Sequence, residues 1–571
     1  MKNIKIFAAA VILLLAAAGC RKSFLDVPPK AFLTDDAVWA TTANADLFLN
    51  DIYNQLPDIN NETEHLDQYT DNSDVGVLWM QGYSNIATAQ VTPSNLPRGP
   101  WDMWTWSTNY QRVRRCNLFI QKVTASALPS DYKTQRIAEA RFLRALFYHW
   151  IWMAYGGVPL ITDVLDNGSQ GDSIYRARGT ERETFSFIDK ELDTIARVLP
   201  ASYGAADQGR PTGGAALTLK GWCELYEASP LRNPGQDINL WKNASATNKQ
   251  VMDLGVYDLM GDLSQLFLVG NNNSIESIFA RQYGPNHGST LIGKEGPTMN
   301  AAGAEVSWGN FQPTQELVDE FSMAGGKAIG EGGSGYDPQH PYDNREKRFY
   351  QTILYDGAPW RGFTIETRDG GNNSIDLGYS SDKTHTGYYA CKRLDPSMDP
   401  GSYFSGILYQ NYMFFRYAEV LLSFAEAENE VNGPTSDVLA AVDRVRARGN
   451  LPTVEATYGS VTQAQMRDII HRERRVELCF EDKRWWDVLR WKIAVQMPDG
   501  TPGVLNRPET GMVITGSAGS LVYTPTNIRS RIFLPKMYLM PIPQSVLDQN
   551  PAIQKQNGGT DGWVNGQNPG Y

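Results

Sequence analysis

Long hydrophobic runs are almost absent from this 571-residue chain. The one run of note, residues 6–19, holds 14 residues, whereas a membrane-crossing helix needs about 20. Excess positive charge is missing too: 52 Lys and Arg stand against 63 Asp and Glu, which argues against nucleic acid or another polyanion as partner. Histidine is scarce, and the six (His65, His149, His287, His340, His385 and His471) form no paired zinc spacing. The five cysteines include no C-x-x-C pair, so no disulfide can be assigned at their spacings. No G-x-S-x-G nucleophile elbow occurs. Residues 288–294 begin like a phosphate-binding loop and fail at Glu295, where a magnesium-binding hydroxyl is required; Gly296-Pro297 then blocks the helix that would hold the phosphate. Together these absences point away from nucleotide chemistry and from a cofactor or metal.

What is present begins at the N-terminus. Lys2 and Lys5, the apolar run and the small residues Ala17-Ala18-Gly19 before Cys20 compose a secretory leader. The last four residues resemble a bacterial lipobox, with Ala17 where a bulkier aliphatic is usual. That implies lipidation of Cys20 and a membrane tether; an ordinary signal peptide with an incidental cysteine is the alternative. Removing residues 1–19 takes Lys2 and Lys5 and leaves 50 basic against 63 acidic residues, a net charge of −13.

Residues 136–155 place Leu143, Leu146, Phe147, Trp150, Ile151 and Ala154 at spacings of three and four, with Phe142, Ala145, Trp152 and Met153 on the other side. The pattern predicts a helix buried nearly all round, stopped at Gly156-Gly157-Val158-Pro159. Comparable patterns run through 101–123, 181–199, 215–228, 412–431, 436–448 and 463–491. Cys116, Cys223 and Cys479 fall in such segments, where a thiol is usually a small buried hydrophobe. Ala215-Ala216 and Ala425-x-Ala427 supply small residues for close helix approach. The reading is a mainly α chain, a degenerate tetratricopeptide-like scaffold without the regular 34-residue period, with long loops and a few short strands. One domain spans 20–571: a helical part over 20–232, a loop-rich ligand-binding insert over 233–410 with short β-prone runs at 349–354 and 362–367, and a second helical part over 411–571.

Four blocks carry a resemblance. Ala138-Glu139-Ala140-Arg141-Phe142-Leu143-Arg144-Ala145 with Tyr155-Gly156-Gly157-Val158-Pro159-Leu160 is the longest; Arg416-Tyr417-Ala418-Glu419-Val420-Leu421-Leu422 with Ala425-Glu426-Ala427 is the second. Arg472-Glu473-Arg474-Arg475-Val476-Glu477-Leu478 through Arg484-Trp485-Trp486-Asp487 is the third, and Tyr538-Leu539-Met540-Pro541-Ile542-Pro543 with Asn550-Pro551 closes the chain. Phe24-Leu25-Asp26 and Asn117 fit the same pattern. In this order they resemble the SusD/RagB family of nutrient-binding outer-membrane lipoproteins. The resemblance implies a helical protein, exposed at the cell surface, that binds oligosaccharide without catalysis and closes over a TonB-dependent SusC-like β-barrel transporter.

Glu473, Glu477 and Glu481 recur at every fourth position, a possible acid/base face. Arginines 472, 474, 475 and 484 lie around them, and nearby cations lower a carboxylate's pKa rather than raise it toward a working acid. A structural ion-pair network is therefore expected. Asp67, Asp71 and Asp74 lie close together without the order of a calcium loop. A sugar surface needs flat aromatic faces and hydrogen-bonding side chains. Loops with few apolar neighbours offer Trp79, Tyr83, Tyr283 and Trp308 as stacking rings, Asn72 and Asp74 as hydrogen-bonding partners, and Trp101 at a loop-to-helix boundary. Trp150, Trp152, Trp222, Trp485, Trp486 and Trp491 sit in helical patterns and are assigned to the core. Alternatives are a peptide or amino-acid receptor on the same scaffold, a surface glycoside hydrolase, for which no motif places a carboxylate pair, and a structural assembly protein.

Overall fold

Helix starts are written locally. Thr41, Thr180, Thr212, Asp237, Thr435 and Thr462 each sit in extended backbone, and each side-chain oxygen accepts from an amide of the following first turn. Such caps satisfy donors that a helix leaves unpaired. The computed structural model describes residues 35–571 apart from 78, 299, 302, 303, 306, 382, 399–407 and 518; Cys20 lies outside the described residues. The helices used below are α1 (Thr42–Asn54), α2 (Gln81–Ala87), α3 (Trp106–Ala125), α4 (Ser130–Tyr155), α5 (Glu181–Ala196), α6 (Gly213–Ala228), α7 (Ile238–Asp253), α8 (Leu291–Glu295), α9 (Tyr417–Asn432), α10 (Ser436–Arg448), α11 (Gln463–Leu478) and α12 (Arg484–Arg490).

Successive helices pack as neighbours: α3 on α4, α4 on α5, α5 on α6, α6 on α7. Helix α7 then meets α9, which carries α10 and α11. Ala215, Ala216, Ala425 and Ala427 are fully buried at these approaches. Residues 142–155 of α4 are all buried, as the all-round apolar pattern predicts. The six tryptophans assigned to the core are buried as well. The chain is thus mainly α, with strands only in short antiparallel pairs among the described residues. Those used below are β1 (Ser73–Val75), β2 (Ser277–Arg281), β3 (Phe311–Pro313), β4 (Tyr412–Arg416), β5 (Glu509–Thr515) and β6 (Val522–Arg529). Strand β1 pairs with β3, β2 with β4, and β5 with β6.

The structure departs from the sequence reading in four places. Helix α7 lies inside the 233–410 stretch read as loops, because its buried stripe of Leu240, Ala244, Ser245, Thr247, Asn248 and Val251 is mostly small or polar and gives a weak apolar signal. Residues 347–352 are helical before a two-residue strand. The pattern over 412–431 divides into β4 and α9, and that over 463–491 into α11 and α12.

Helix α4 ends where Gly156 turns left-handed at φ +75°. A Cβ on the next residue, Gly157, would sit 2.1 Å from the Gly179 carbonyl oxygen, so only glycine fits. Beside it the buried Arg178 donates to the carbonyls of Gly157 at 2.8 Å and Gly566 at 2.7 Å, and to Asn568 Oδ1 at 2.9 Å. Its guanidinium lies 3.7 Å over the Trp563 ring. The end of the chain is thereby clasped to the end of α4.

The expected carboxylate network exists, but its partners come from elsewhere in the chain. Arg416 on β4 donates to Glu276 at 2.7 Å, to Glu477 at 2.8 Å and to Glu481 at 2.6 Å. Arg348 reaches Glu473 at 2.8 Å, Arg446 reaches Glu473 at 2.7 Å, Arg448 reaches Glu276 and Glu477, and Lys392 reaches Glu481 at 2.7 Å. All these side chains are essentially dry. The arginines nearest in sequence pair with other groups: Arg474 with Glu419 and Asp487, Arg475 and Arg484 with Asp71. Glu481 lies beyond the end of α11, so the three carboxylates do not share one helix face. Cys116, Cys223, Cys391 and Cys479 are unpaired thiols.

Candidate functional site

The ladder between β1 and β3 brings the early and mid-chain loops together. Ser73 faces Pro313, Asp74 faces Gln312 and Val75 faces Phe311, and the Gly76 amide continues the pairing to the Asn310 carbonyl at 3.2 Å. Contact is so close that a Cβ on Gly76 would lie 2.4 Å from the Gly309 oxygen. Trp79 follows on one strand and Trp308 precedes on the other, so the antiparallel register places both at the same end of the ladder. Trp79 is 68% exposed. Trp308 is partly buried, its amide bonded to the Gly293 carbonyl of α8 at 2.9 Å.

The other five residues offered as ligand contacts lie inside the protein. Asn72 donates to Asp67 at 2.8 Å and accepts from Arg475 at 2.9 Å. Asp74 accepts from Tyr83 Oη at 3.0 Å and from Arg529 at 3.1 Å; burial pushes its pKa up, but the His385 hydrogen bond and the Arg529 charge outweigh it and hold the carboxyl low. Tyr83 is buried because it sits on α2, a short helix whose Tyr83, Ile86 and Ala87 face the core, and arginines 529 and 531 cover its ring. Trp101 packs edge-on against His65 and tilted against Tyr412. Tyr283, 8% exposed, donates to Asp58 at 2.7 Å and accepts from the Asn60 amide at 3.1 Å. Polar partners and a local helix supply cover that the loop composition did not reveal. Asp67 and Asp71 are likewise held by protein donors: the Phe480 and Asp482 amides on Asp67, Arg484 on Asp71.

Several surface groups had no sequence signal strong enough to single them out. His287 stacks on Tyr283 with ring centroids 5.8 Å apart, bonds Asp58 at 2.8 Å and is 51% exposed. It lies in the Gly-Pro-Asn-His-Gly turn of residues 284–288 that directly follows Tyr283. Segment 58–64 joins the two loop systems: Asn61 accepts from the Thr290 amide at 2.9 Å, and Lys294 of α8 donates to the Asn61 carbonyl. Next to it Glu62 pairs with Arg98 at 3.2 Å, and Arg98 also lies 3.7 Å from Asp102. Burial raises the Glu62 pKa and lowers that of Lys294, favouring the neutral form of each. Among the described residues, Trp308 adjoins segment 58–64 through α8, His287 adjoins it at Asp58, and exposed Trp79 lies at the same ladder end as Trp308, so aromatic faces stand amid side-chain and main-chain hydrogen-bonding groups.

Known proteins resemble this chain along nearly its whole length. A family described as "Starch-binding associating with outer membrane" matches residues 23–220. A "SusD-like protein" of Bacteroides ovatus is 24% identical over 97% of this chain and 98% of its own. The structure of a SusD-like carbohydrate binding protein from Bacteroides fragilis superposes with TM-score 0.75 at 26% identity, covering 90% of this chain and 99% of that one. Surface glycan-binding protein A of Bacteroides thetaiotaomicron, solved with laminarihexaose, has the same fold at 20% identity, TM-score 0.63, over 89% and 97% of the two chains. Residues 275–563, more than half of the chain and spanning β2 through Trp563, match the SusD family itself, and the protein belongs to that family.

Proposed function

We propose that the protein is a cell-surface glycan receptor that holds an oligosaccharide across the Trp79–Trp308 surface without turnover and delivers it to a TonB-dependent SusC-like transporter. The observation carrying the binding reading is Trp79: a large apolar ring, 68% exposed, beside a second indole at one ladder end. An exposed aromatic among polar groups is tolerated most readily where a ligand covers it. Buried Tyr83, Trp101, Tyr283, Asn72 and Asp74 act as the support that fixes these loops. The relatives described as carbohydrate-binding and glycan-binding, one holding laminarihexaose, support the same reading. No described helix is long and apolar enough to cross a membrane; the partner transporter is what the family resemblance implies.

Replacing Trp79 by Ala should weaken oligosaccharide binding by about 1–3 kcal/mol with the melting temperature unchanged, the scale of losing one buried contact residue. Trp308→Ala should weaken binding too, with some loss of stability because this ring is partly buried. Calorimetry on the two variants, paired with melting curves, checks this; unaltered affinity in the Trp79 variant would place the site elsewhere. Affinity should also rise with glycan length, because single contacts in a wet site contribute little.

We propose further that Cys20 is lipidated and tethers the chain to the outer membrane, consistent with the leader pattern and with the family description naming that membrane. Cys20→Ala should move the protein from the membrane to the soluble fraction on cell fractionation. Retention in the membrane fraction in a strain lacking the transporter would contradict it.

A further inference from the structure

We infer that His65 is a positioning residue for the glycan surface: it carries a proton between Glu295 and Asp482, and through Glu295 it holds α8, and with α8 Trp308, against the α11–α12 junction. Its consequence for binding rests on the glycan-binding reading. His65 is 1% exposed. Its Nε2 lies 3.3 Å from Glu295 Oε1 and its Nδ1 3.6 Å from Asp482 Oδ2, and both carboxylates are buried as well. Neither ring nitrogen makes a hydrogen bond to another group among the described residues. A neutral imidazole has one N–H and one lone pair, whereas an ionised carboxylate only accepts. With a carboxylate oxygen facing each nitrogen, a neutral ring would turn its lone pair toward one of them. A second proton on the ring removes that clash and makes both contacts attractive. The surrounding charges favour it. Glu295 and Lys294 of α8, Asp482 and Asp67 beside the junction, Arg393, and Glu62 on the segment of His65 all act on this cluster, so the carboxylates outnumber the other cations. Burial raises the Glu295 pKa in spite of Arg393 and His65, which strengthens the hold of ring and carboxyl together on the proton they share.

One side of the ring is fixed to the scaffold. The Leu66 amide donates to Asp482 at 2.7 Å, and Asp67 accepts from the amides of Phe480 and Asp482 at 3.1 and 2.8 Å. Tyr412 of β4 donates to Asp482 at 2.9 Å, and the Phe311 ring lies 4.7 Å from the imidazole, centroid to centroid. The other side is slender. Helix α8 has five residues, yet it and Gly296 after it carry the chain that leads into β3: the Gly293 carbonyl accepts from the Trp308 amide at 2.9 Å, Lys294 from Asn310 at 3.0 Å and Gly296 from Gly309 at 2.9 Å. Glu295 stands within that row of carbonyls, so the partner of its carboxylate sets where the row, and Trp308 with it, is held. A supporting group displaced by about 1 Å is enough to loosen a binding constellation.

Two measurements on the mature protein, residues 20–571, test this. The first needs no ligand. Hydrogen exchange read by mass spectrometry over residues 288–298 should be faster in His65→Gln than in wild type at a single pH, because Glu295 without its cation releases α8. Adding Glu295→Gln to His65→Gln should restore protection, since two amides pair without a proton, whereas a packing defect at position 65 would leave the two losses additive. Unchanged exchange in His65→Gln overturns the inference, and so does additive loss in the double variant.

The second is calorimetry with the tightest binder among neutral hexasaccharides (β-1,3- and α-1,4-glucan, β-1,4-mannan, β-1,4-xylan). Wild-type affinity should be full at about pH 6 and fall about tenfold by about pH 9, because the proton belongs to the tight-binding form and leaves as pH rises. His65→Gln should bind about tenfold more weakly than wild type at the lower pH and show no pH dependence, and the double variant should regain most of the affinity while staying flat. Glu295→Gln alone, which removes one of the two carboxylates, should flatten the profile as well, so the test stands even where His65→Gln does not fold. A wild-type affinity that does not change with pH, or a slope that survives in these variants, overturns the inference. Failure of the whole panel to bind, with the exchange pattern as expected, overturns the glycan-binding reading and leaves the His65 linkage standing.

Discussion

Arg416→Met should cost about 3–5 kcal/mol of folding stability, the penalty for leaving buried charges without their partner. Every donor direction of this guanidinium is used. Nε and Nη2 grip the two oxygens of Glu481 at 2.6 and 2.7 Å, Nη1 divides between Glu276 and Glu477, and Nη2 also reaches the Glu477 carbonyl at 2.7 Å. Arg416 is 1% exposed, and three glutamates converge on it, Glu276 from one stretch of the chain and Glu477 and Glu481 from another. Methionine fills the space but neutralises none of them. Lysine restores charge at one point and cannot reproduce the planar fork, so Arg416→Lys should fall between wild type and Met. Arg467→Met, which removes a 38%-exposed arginine from its pair with Glu430, should by contrast cost no more than about 1 kcal/mol. Urea midpoints of the three variants check the order; equal losses at Arg416 and Arg467 would mean the buried network does not hold the β4–α11 junction.

Acid should dismantle the same network. The charges of Arg416 and Lys392 outweigh burial and hold Glu481 down to about 2, and Glu477 is held lower by Arg448, Arg416 and Arg348. An unfolded glutamate titrates near about 4.3, so the folded state binds fewer protons over the interval between. The stabilisation is complete above the unfolded value and drains away as pH falls through about 2, on the order of 3 kcal/mol for Glu481 alone. Buried Glu509, Glu346 and Glu295 have raised pKa values from burial and run the opposite way, easing the folded state as they take up protons. The depressed groups tie four segments together, so the net result should be a melting temperature that falls steeply below pH about 4. Glu481→Gln should be less stable than wild type at neutral pH and show a shallower acid limb, read from melting curves between pH 2 and 7. An acid limb as steep as wild type would mean another carboxylate dominates.

The scaffold was legible because its physics is local. Thr and Asp caps, the three-four spacing of α4 and the alanines at helix approaches each state their structure within a few residues. The family blocks proved to be the places where such local signals meet long-range ones: Gly157 against Gly179, Arg416 among its glutamates. The site was legible in part. The register of β1 on β3 joins residues some 240 apart in sequence; the aromatic content of both loops could be read, and the structure sets two of those rings, Trp79 and Trp308, at one ladder end. Which neighbouring rings face water could not be read, since Tyr83 is hidden by two arginines from positions 529 and 531, and Tyr283 by Asp58.

The clasp on α4 has a consequence for the order in which the molecule can be assembled. Arg178 finds its acceptors 388 and 390 residues downstream, at Gly566 and Asn568. At synthesis rates of about 5–20 residues per second, roughly 20–80 seconds separate the appearance of this arginine from that of its partners. Throughout that interval the guanidinium can already reach the Tyr155 and Gly157 carbonyls at the end of α4, but the donors destined for Gly566 and Asn568 have only solvent to satisfy them. Helices of the first half can pair while the chain is still emerging, but their closing seal is the last stretch to arrive. A chain truncated even ten residues short would therefore be left permanently in that waiting state.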